Sequence, residues 1–320
     1  MAENAGSLIE LQDGTRDFRT LMIHRPTLHV DRGAAEDFYL RVFGRSSTPL
    51  ESVMKTPPRP NHAIDYSMFT SVSDVFIDNL DPKRYITDGI QRFPDAGQGH
   101  LRTFGWYIEG MPELYRELRR HGIRVTNGQG QVAEGDDTPM AGPIPHFRAL
   151  PADAGIGYQF FPMFPFEPDP RLKDGWSIPA VSEDDPLGIE YCSHHTVLTG
   201  DPARALELVV DVLGGTVLDE GHDDVRGLTG TYVHLADAIV QYAMPDEGSA
   251  AAADLAANGP DDVYHAITWK VVDIERVERH LGAQGVRILT RTRDTIVTDP
   301  ATSLGVPWGF TTKQVPGDPR

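Results

Sequence analysis

The chain has 320 residues, of which 40% are hydrophobic and 24% charged. That is the composition of an ordinary globular protein with length for about two domains. Lys and Arg number 29 against 47 Asp and Glu, a net charge of -18, which argues against a nucleic-acid-binding face and against an anionic membrane as partner. The single cysteine, Cys192, excludes an intrachain disulfide and a cysteine-rich zinc site. No apolar run reaches the roughly 18 residues of a membrane span. The opening stretch MAENAGSLIELQDGTRD has no basic segment followed by an apolar one, so a secretory leader is not expected and a cytoplasmic location is the simplest reading.

In chain order, the first element is a strand through HRPTLHV from His24, followed by a turn at Asp31 and an amphipathic helix stopped by Gly44. VSDVFIDNLDP (72–82) reads as a turn and a strand ending near proline. TFGWYIEGMPELYRELRRHGIRV (103–125) reads as strand, helix, glycine stop and strand. The segment 126–145 is the longest uncovered connection, a surface loop or a lid over a cleft. GIGYQF (155–160) is the closing strand, and QFFPMFPF (159–166) either lines an apolar pocket or covers a junction. The stretch FPFEPDPRLKDGWSIPAVSEDDP (164–186) is rich in proline and acid, which disfavours helix and central strand. It sets the expected organisation: a first domain at 18–165, a linker at 166–186 and a second domain at 187–316. The tail QVPGDPR is expected to fray.

The second domain repeats the first. At a shift of 170 residues His24 falls on His194, Asp31 on Asp201, Ala35 on Ala205, Val42 on Val212 and Gly44 on Gly214. At a shift of 163, 72–82 falls on LADAIVQYAMP (235–245), and Trp106, Leu118 and Gly122 fall on Trp269, Leu281 and Gly285. At a shift of 150 GIGYQF falls on GVPWGF (305–310). Each half thus holds two units in which a helix interrupts a run of strands, an α+β class.

HHTVLTGDPARALELVVDVLGGTVL (194–218), AITWKVVDIERVERHLGAQGVRIL (266–289), DPATSLGVPWGF (299–310) and HRPTLHVDRGAAEDFYLRVFG (24–44) together resemble the vicinal oxygen chelate superfamily. That superfamily includes glyoxalase I, bleomycin-resistance proteins, methylmalonyl-CoA epimerase and the extradiol dioxygenases. The resemblance spans nearly the whole chain, and two fused domains look most like the type I extradiol enzymes. It implies tandem βαβββ units forming two curved, incomplete-barrel domains. It also implies a divalent metal (Fe, Mn or Zn) that chelates vicinal substrate oxygens, or no metal where the ligands are lost.

The family's ligand positions map as follows. The first-strand His maps onto His194 and His24, with His195 turned to the opposite face by strand alternation. The next ligand position falls on Ala266; the adjacent His265 reaches the cup only through a slip or bulge. In the first half Thr103 stands there, with Arg102 beside it and His100 three residues earlier. The last-strand Glu maps onto Gly309, which has no ligand atom, and onto Gln159. The fourth-strand position maps onto Gln241 and Asp78. The expected metal sets are therefore His194, Gln241 and His265, or His24, Asp78 and Gln159 in the other half. His194 and His24 are the catalytic candidates, and Gln241, Lys270, Asp78 and Gln159 the substrate-binding ones. Lys270 and Thr268 share the parity of Ala266 and are expected in the second cup. Cys192 is expected on the face of His194, as a buried side chain or as a nucleophile. EGHDD (220–224) reads as a solvated loop.

The resemblance implies an enzyme on a small aromatic or oxygenated metabolite, with metal-assisted oxygenation or ring cleavage as the nearest reaction. A metal-free sequestering protein and a metal-independent lyase or isomerase stand beside it. A small molecule is the expected partner, and a homo-oligomer is compatible with the family's habit of pairing units.

Overall fold

The computed structural model describes residues 16–57, 61–141 and 144–320; most of the opening stretch, on which the expectation about a leader falls, and positions 142–143 of the long loop lie outside the described residues. No helix among the described residues is long and apolar enough to cross a membrane.

The second half is one eight-stranded sheet built from two βαβββ units. Its two long first strands, Ile189–Leu198 and Val263–Val271, pair antiparallel at the centre. On one side lie, in order, Ala238–Pro245, Leu228–Leu235 and Thr216–Asp223; on the other Gly309–Thr311, Thr295–Thr298 and Ile288–Arg291. In each unit the last strand runs parallel to the first, which is why a helix must cross between them.

The first half has the same order of elements, but its central strands are broken. Arg19–Ile23 and Thr27–His29 replace one strand; His100–Thr103 and Gly105–Glu109 replace the other. The result is two five-stranded sheets. Pro26 stands at the break, and proline has no N–H to give to a ladder.

The repeated helices begin alike. Asp31 Oδ1 accepts from Ala34 N at 2.9 Å, and Asp201 Oδ1 from Arg204 N at 3.2 Å, each satisfying an otherwise orphaned donor. Both helices widen into a π-turn, Tyr39–Phe43 and Glu207–Val212. Gly44 closes the first at φ 64°, a left-handed conformation that glycine adopts without strain. Their apolar faces lie on the sheets with Trp106, Trp269, Tyr158 and Trp308, all fully buried.

The proline-rich link and the tail are mostly exposed, but each is pinned by a bonded arginine. Each contains the triplet Asp-Pro-Arg. Arg171 is bonded to Asp169 and donates to the carbonyls of Ile23 and His24. Arg320 is bonded to Asp318 and donates to the carbonyls of Cys192 and Ser193. The tail is therefore a clasp on the first strand of the second half, and does not fray. The turns opposite complete the pattern: Asp74 accepts from Cys192 N at 2.6 Å, and Asp237 from Ile23 N at 2.7 Å. Each half caps the other's first strand.

Candidate functional site

Each half holds a cavity on the concave side of its sheets. The second-half cup is divided by Arg226, from the turn between Thr216–Asp223 and Leu228–Leu235. One compartment, of about 490 Å³, is lined by Arg226, His265, Asp254, Ala250, Leu289 and Pro307, among others. The other, of about 290 Å³, is lined by Arg226, His194, Tyr232, Thr268 and Thr311, among others.

His265 enters the first compartment through a bulge. The strand register pairs Thr196 with Ala266 and Val197 with Tyr264, leaving His265 between them unopposed. Its Nδ1 donates to Asp254 Oδ2 at 2.6 Å. Asp254 sits on the helix Ala250–Asn258, started by Ser249, whose Oγ accepts from Ala252 N. The same carboxylate accepts from His100 Nε2 of the first half at 3.1 Å. Burial and the nearby Arg226 hold His265 below the usual histidine range, against the opposing pull of Asp254; at neutral pH the ring is uncharged. With Nδ1–H given to Asp254, Nε2 carries the free lone pair, and it has no hydrogen-bond partner among the described residues.

Arg226 donates from Nη2 to Thr268 Oγ1 at 3.1 Å and from Nη1 to Pro307 O at 3.2 Å. It is 8% exposed and has no ion pair among the described residues. Gly309 makes this placement possible: a Cβ there would lie 2.5 Å from Arg226 Nη2 and 2.5 Å from Thr268 Oγ1. The guanidinium thus fills the space beside the position where the family resemblance expects a Glu ligand.

Of the remaining second-half candidates, His194 lines the smaller compartment and the others are committed elsewhere. Gln241 is fully buried; its Oε1 accepts from Thr196 Oγ1 at 3.0 Å and its Nε2 donates to Tyr232 Oη at 2.9 Å. His194 faces Tyr232 edge-on at 5.2 Å, and its Nε2 is buried without a partner. Burial, Arg226 and His195 lower its pKa. Lys270 does not line the cup: its ammonium is bound by Glu190 at 2.7 Å, near the end of the strand. Cys192 does not share a face with His194. The register shifts between them, so its Sγ lies 3.6 Å from His195 Nε2 in the core. Burial pushes the thiol's pKa well up, the opposite of what a nucleophile needs. His195 also shares a hydrogen bond with Tyr264 Oη at 2.6 Å. EGHDD is mostly edge strand, with His222 beside Asp224 at 3.2 Å.

The first-half cup, of about 480 Å³, is lined by Asp78, Gln159, Arg25, Arg102, Arg148 and Tyr66, among others. Asp78 accepts from Ser67 Oγ and faces Arg25 Nε at 3.5 Å; burial raises its pKa. His24 does not line the cavity. It lies against Phe161, which does, with ring centroids 4.2 Å apart, and Phe161 also stacks on His146 at 4.2 Å. Burial lowers the pKa of His24, and brings His29 and His146 down to about 3. Thr103 lines the cup but its hydroxyl is held by the carbonyls of Phe104 and Gly157. The residues that sequence reasoning missed are Arg226, Asp254, Arg25 and Arg148. None occupies a family ligand position, so only their packing reveals them.

Neither candidate ligand set fits a divalent cation. Among the described residues no three His, Cys, Asp or Glu side chains converge to hold one. In the second cup the positive charge of Arg226 lowers the pKa of both His194 and His265, so a dication there would meet a fixed positive charge. In the first cup His24 lies outside the cavity, and Asp78 and Gln159 share it with three arginines. A third cavity, of about 440 Å³, lies between the halves. Its carboxylates Asp74 and Asp237 are already bonded to backbone N–H groups.

No protein-family model matches this chain, and no curated protein matches it. Solved structures do. A variant of 4-hydroxymandelate synthase from Streptomyces coelicolor is 14% identical with a TM-score of 0.57, over 93% of this chain and 95% of that one. A 2,3-dioxygenase from Pseudomonas is 13% identical with a TM-score of 0.57, over 94% and 95%. An Mn(II)-bound glyoxalase from Novosphingobium aromaticivorans is 13% identical with a TM-score of 0.56, over 94% and 85%. The chain therefore shares the fold of these structures, α+β with curved open sheets.

Proposed function

We propose that this protein is a metal-independent enzyme of proton transfer, a lyase or isomerase, working in the second-half cup on a small oxygenated carbon acid. The observation that carries this reading is the pair His265–Asp254 opening into the same cavity as the unpaired guanidinium of Arg226.

A base needs a free lone pair, a fixed tautomer and a partner for the charge it acquires. Asp254 supplies the last two by accepting from Nδ1. His265 Nε2 takes the proton as the C–H bond next to a carbonyl or carboxylate breaks. The electron pair moves onto that oxygen, and Arg226 stabilises the developing charge. Return of the proton to the same carbon, or to its neighbour, completes an epimerisation or isomerisation. Loss of a β-substituent instead completes an elimination. Arg226 thus has the charge-stabilising task that a Lewis-acid metal performs in other uses of this scaffold, without the ligands a metal requires. The burial that keeps His265 uncharged keeps it competent as a base at neutral pH. Metal-assisted oxygenation is not favoured by these residues. We place the reaction in the cytoplasm, on the sequence composition.

The test is proton exchange. Chelator-treated protein is incubated in D2O with a panel of 2-oxo, 3-oxo and 2-hydroxy acids, and deuterium at carbon is followed by NMR. Exchange is expected without added metal and is expected to fall about 10²–10⁴-fold in His265→Gln. Arg226→Met is expected to fall comparably, and Asp254→Asn to change the pH profile as the imidazole loses its orienting partner. Exchange that requires added Fe, Mn or Zn, or none across the panel, would overturn the reading.

A further inference from the structure

The first-half cup has no comparable base–acid pair aimed at an open lone pair, yet it concentrates positive charge within a protein of net charge -18. We infer that this cup is a second, separate binding site for a planar organic anion, an aromatic carboxylate or phenolate, with Arg148 as its anchor.

Three guanidinium groups, Arg25, Arg102 and Arg148, line the cavity against one carboxylate, Asp78. Asp78 is the partner of Arg25. The guanidinium of Arg148 has no hydrogen bond and no ion pair among the described residues, although its backbone is held in the sheet, and Arg102 buries its Nε without a partner. An enclosed guanidinium without an acceptor is costly unless a ligand supplies one, and its planar fork matches a carboxylate in two parallel bonds. Burial depresses both arginines, while Asp78, Tyr66 and Tyr85 support Arg148 only through space.

The walls specify the rest of the ligand. Tyr66 and Tyr85 line the cup and stack on one another with centroids 4.0 Å apart and planes 14° apart. Phe93, itself 5.6 Å from Tyr85, and Phe161 add further ring surface. Flat aromatic walls with a cationic end select a flat anion. Polar atoms on the cup also favour an oxygenated ring: Gln159 offers an amide and Asp78 accepts a hydroxyl proton. The break at Pro26 lies beside this cavity. Arg25 and Thr27, which flank Pro26, both line the cavity.

This site does not depend on the proton-transfer reading, and variants separate the two. The probe is 4-hydroxybenzoate, titrated by calorimetry against its neutral amide, 4-hydroxybenzamide. Wild type is expected to prefer the carboxylate at least about 10-fold, and Arg148→Met to weaken carboxylate binding about 30-fold or more while leaving the amide within about twofold. Arg148→Lys is expected to recover part of the affinity, which guards against a variant that merely unfolds. Tyr85→Leu is expected to weaken acid and amide alike. His265→Gln and Arg226→Met, which disable the second cup, are expected to leave this binding unchanged. Equal affinity for acid and amide in the wild type would overturn the inference. So would undiminished binding in a folded Arg148→Met, or loss of binding on Arg226→Met, which would place the anion in the second cup.

Discussion

The two halves share one chain topology and diverge at its centre. In the second half two unbroken strands, Ile189–Leu198 and Val263–Val271, carry the ladder through the middle of the cup. Thr196, Gln241 and Tyr232 form a closed hydrogen-bonded row there. In the first half Pro26 takes the place of Thr196, the ladder divides, and arginines line the opening. Among the described residues neither cup holds a metal-ligand set, and both carry buried or enclosed positive charge. It comes from unrelated positions: a hairpin turn for Arg226, a strand in the second unit for Arg148. The difference teaches that one chain topology leaves the placement of charge in each cup to local elements, a turn in one half and a strand in the other.

The sharpest test of this comparison is catalytic. If only the second cup carries a base, His265→Gln lowers proton exchange by about 10³-fold. His24→Gln, whose ring lies behind Phe161, then leaves the rate of the folded enzyme unchanged by the same NMR assay. A matching loss in His24→Gln would break the distinction between the halves.

The clasps test it next. Arg171 and Asp169 are each 1% exposed in their side chains, whereas Arg320 is 14% exposed. Arg171→Met leaves Asp169 as an uncompensated buried charge and is expected to cost about 3–5 kcal/mol. Arg320→Met likewise leaves a buried carboxylate, Asp318, and is expected to cost somewhat less, about 2–3 kcal/mol, because Arg320 itself is partly exposed. Chemical denaturation measures both. Equal costs would mean that the repeated triplets do equivalent structural work despite their different burial.

Acid reaches both halves through their histidines. His29, His146 and His195 have folded-state pKa values of about 3, because burial disfavours the charged ring. The unfolded chain therefore binds more protons between pH 6.5 and 3. Stability is full above pH 6.5 and falls as pH drops through that window, by about 1 kcal/mol per pH unit for each histidine. Asp237, at the junction, has the opposite sign. Burial raises its pKa to about 6, so its contribution is present below about pH 4 and is lost as pH rises through 6. Asp237→Asn is expected to remove that opposing component and steepen the net acid loss between pH 6 and 4, measured as the pH dependence of Tm. An unchanged slope would mean that the carboxylate stays ionised across this range.

The smallest expected effect is at Lys270. Its partly exposed pair with Glu190 is expected to contribute below about 1 kcal/mol, and Lys270→Met to leave proton exchange intact. A loss of exchange would return Lys270 to the cup.

Much of the fold was legible in the sequence, and the reasons are local. Asp31 and Asp201 are good helix caps, Gly44 and Gly214 tolerate positive φ, and the buried Trp106 and Trp269 recur at one repeat spacing. Such signals act within a few residues or repeat at a fixed interval, so they can be read along the chain. The orientation of His194 and His195 on opposite sides also follows from strand alternation. Alternation failed wherever a bulge intervened. The shift near Ser193 put Cys192 beside His195, and the unopposed His265 turned towards the cup as only a bulge allows. What tertiary structure alone decided is the electrostatics of the two cups. Asp254 meets His265 and His100 from a different element, Arg226 fills the space left by Gly309, and Arg148 meets Asp78 and Tyr66 across a cavity. Linear spacing carries no record of which charges face one another, because that depends on how curved sheets bring distant residues to one concave surface.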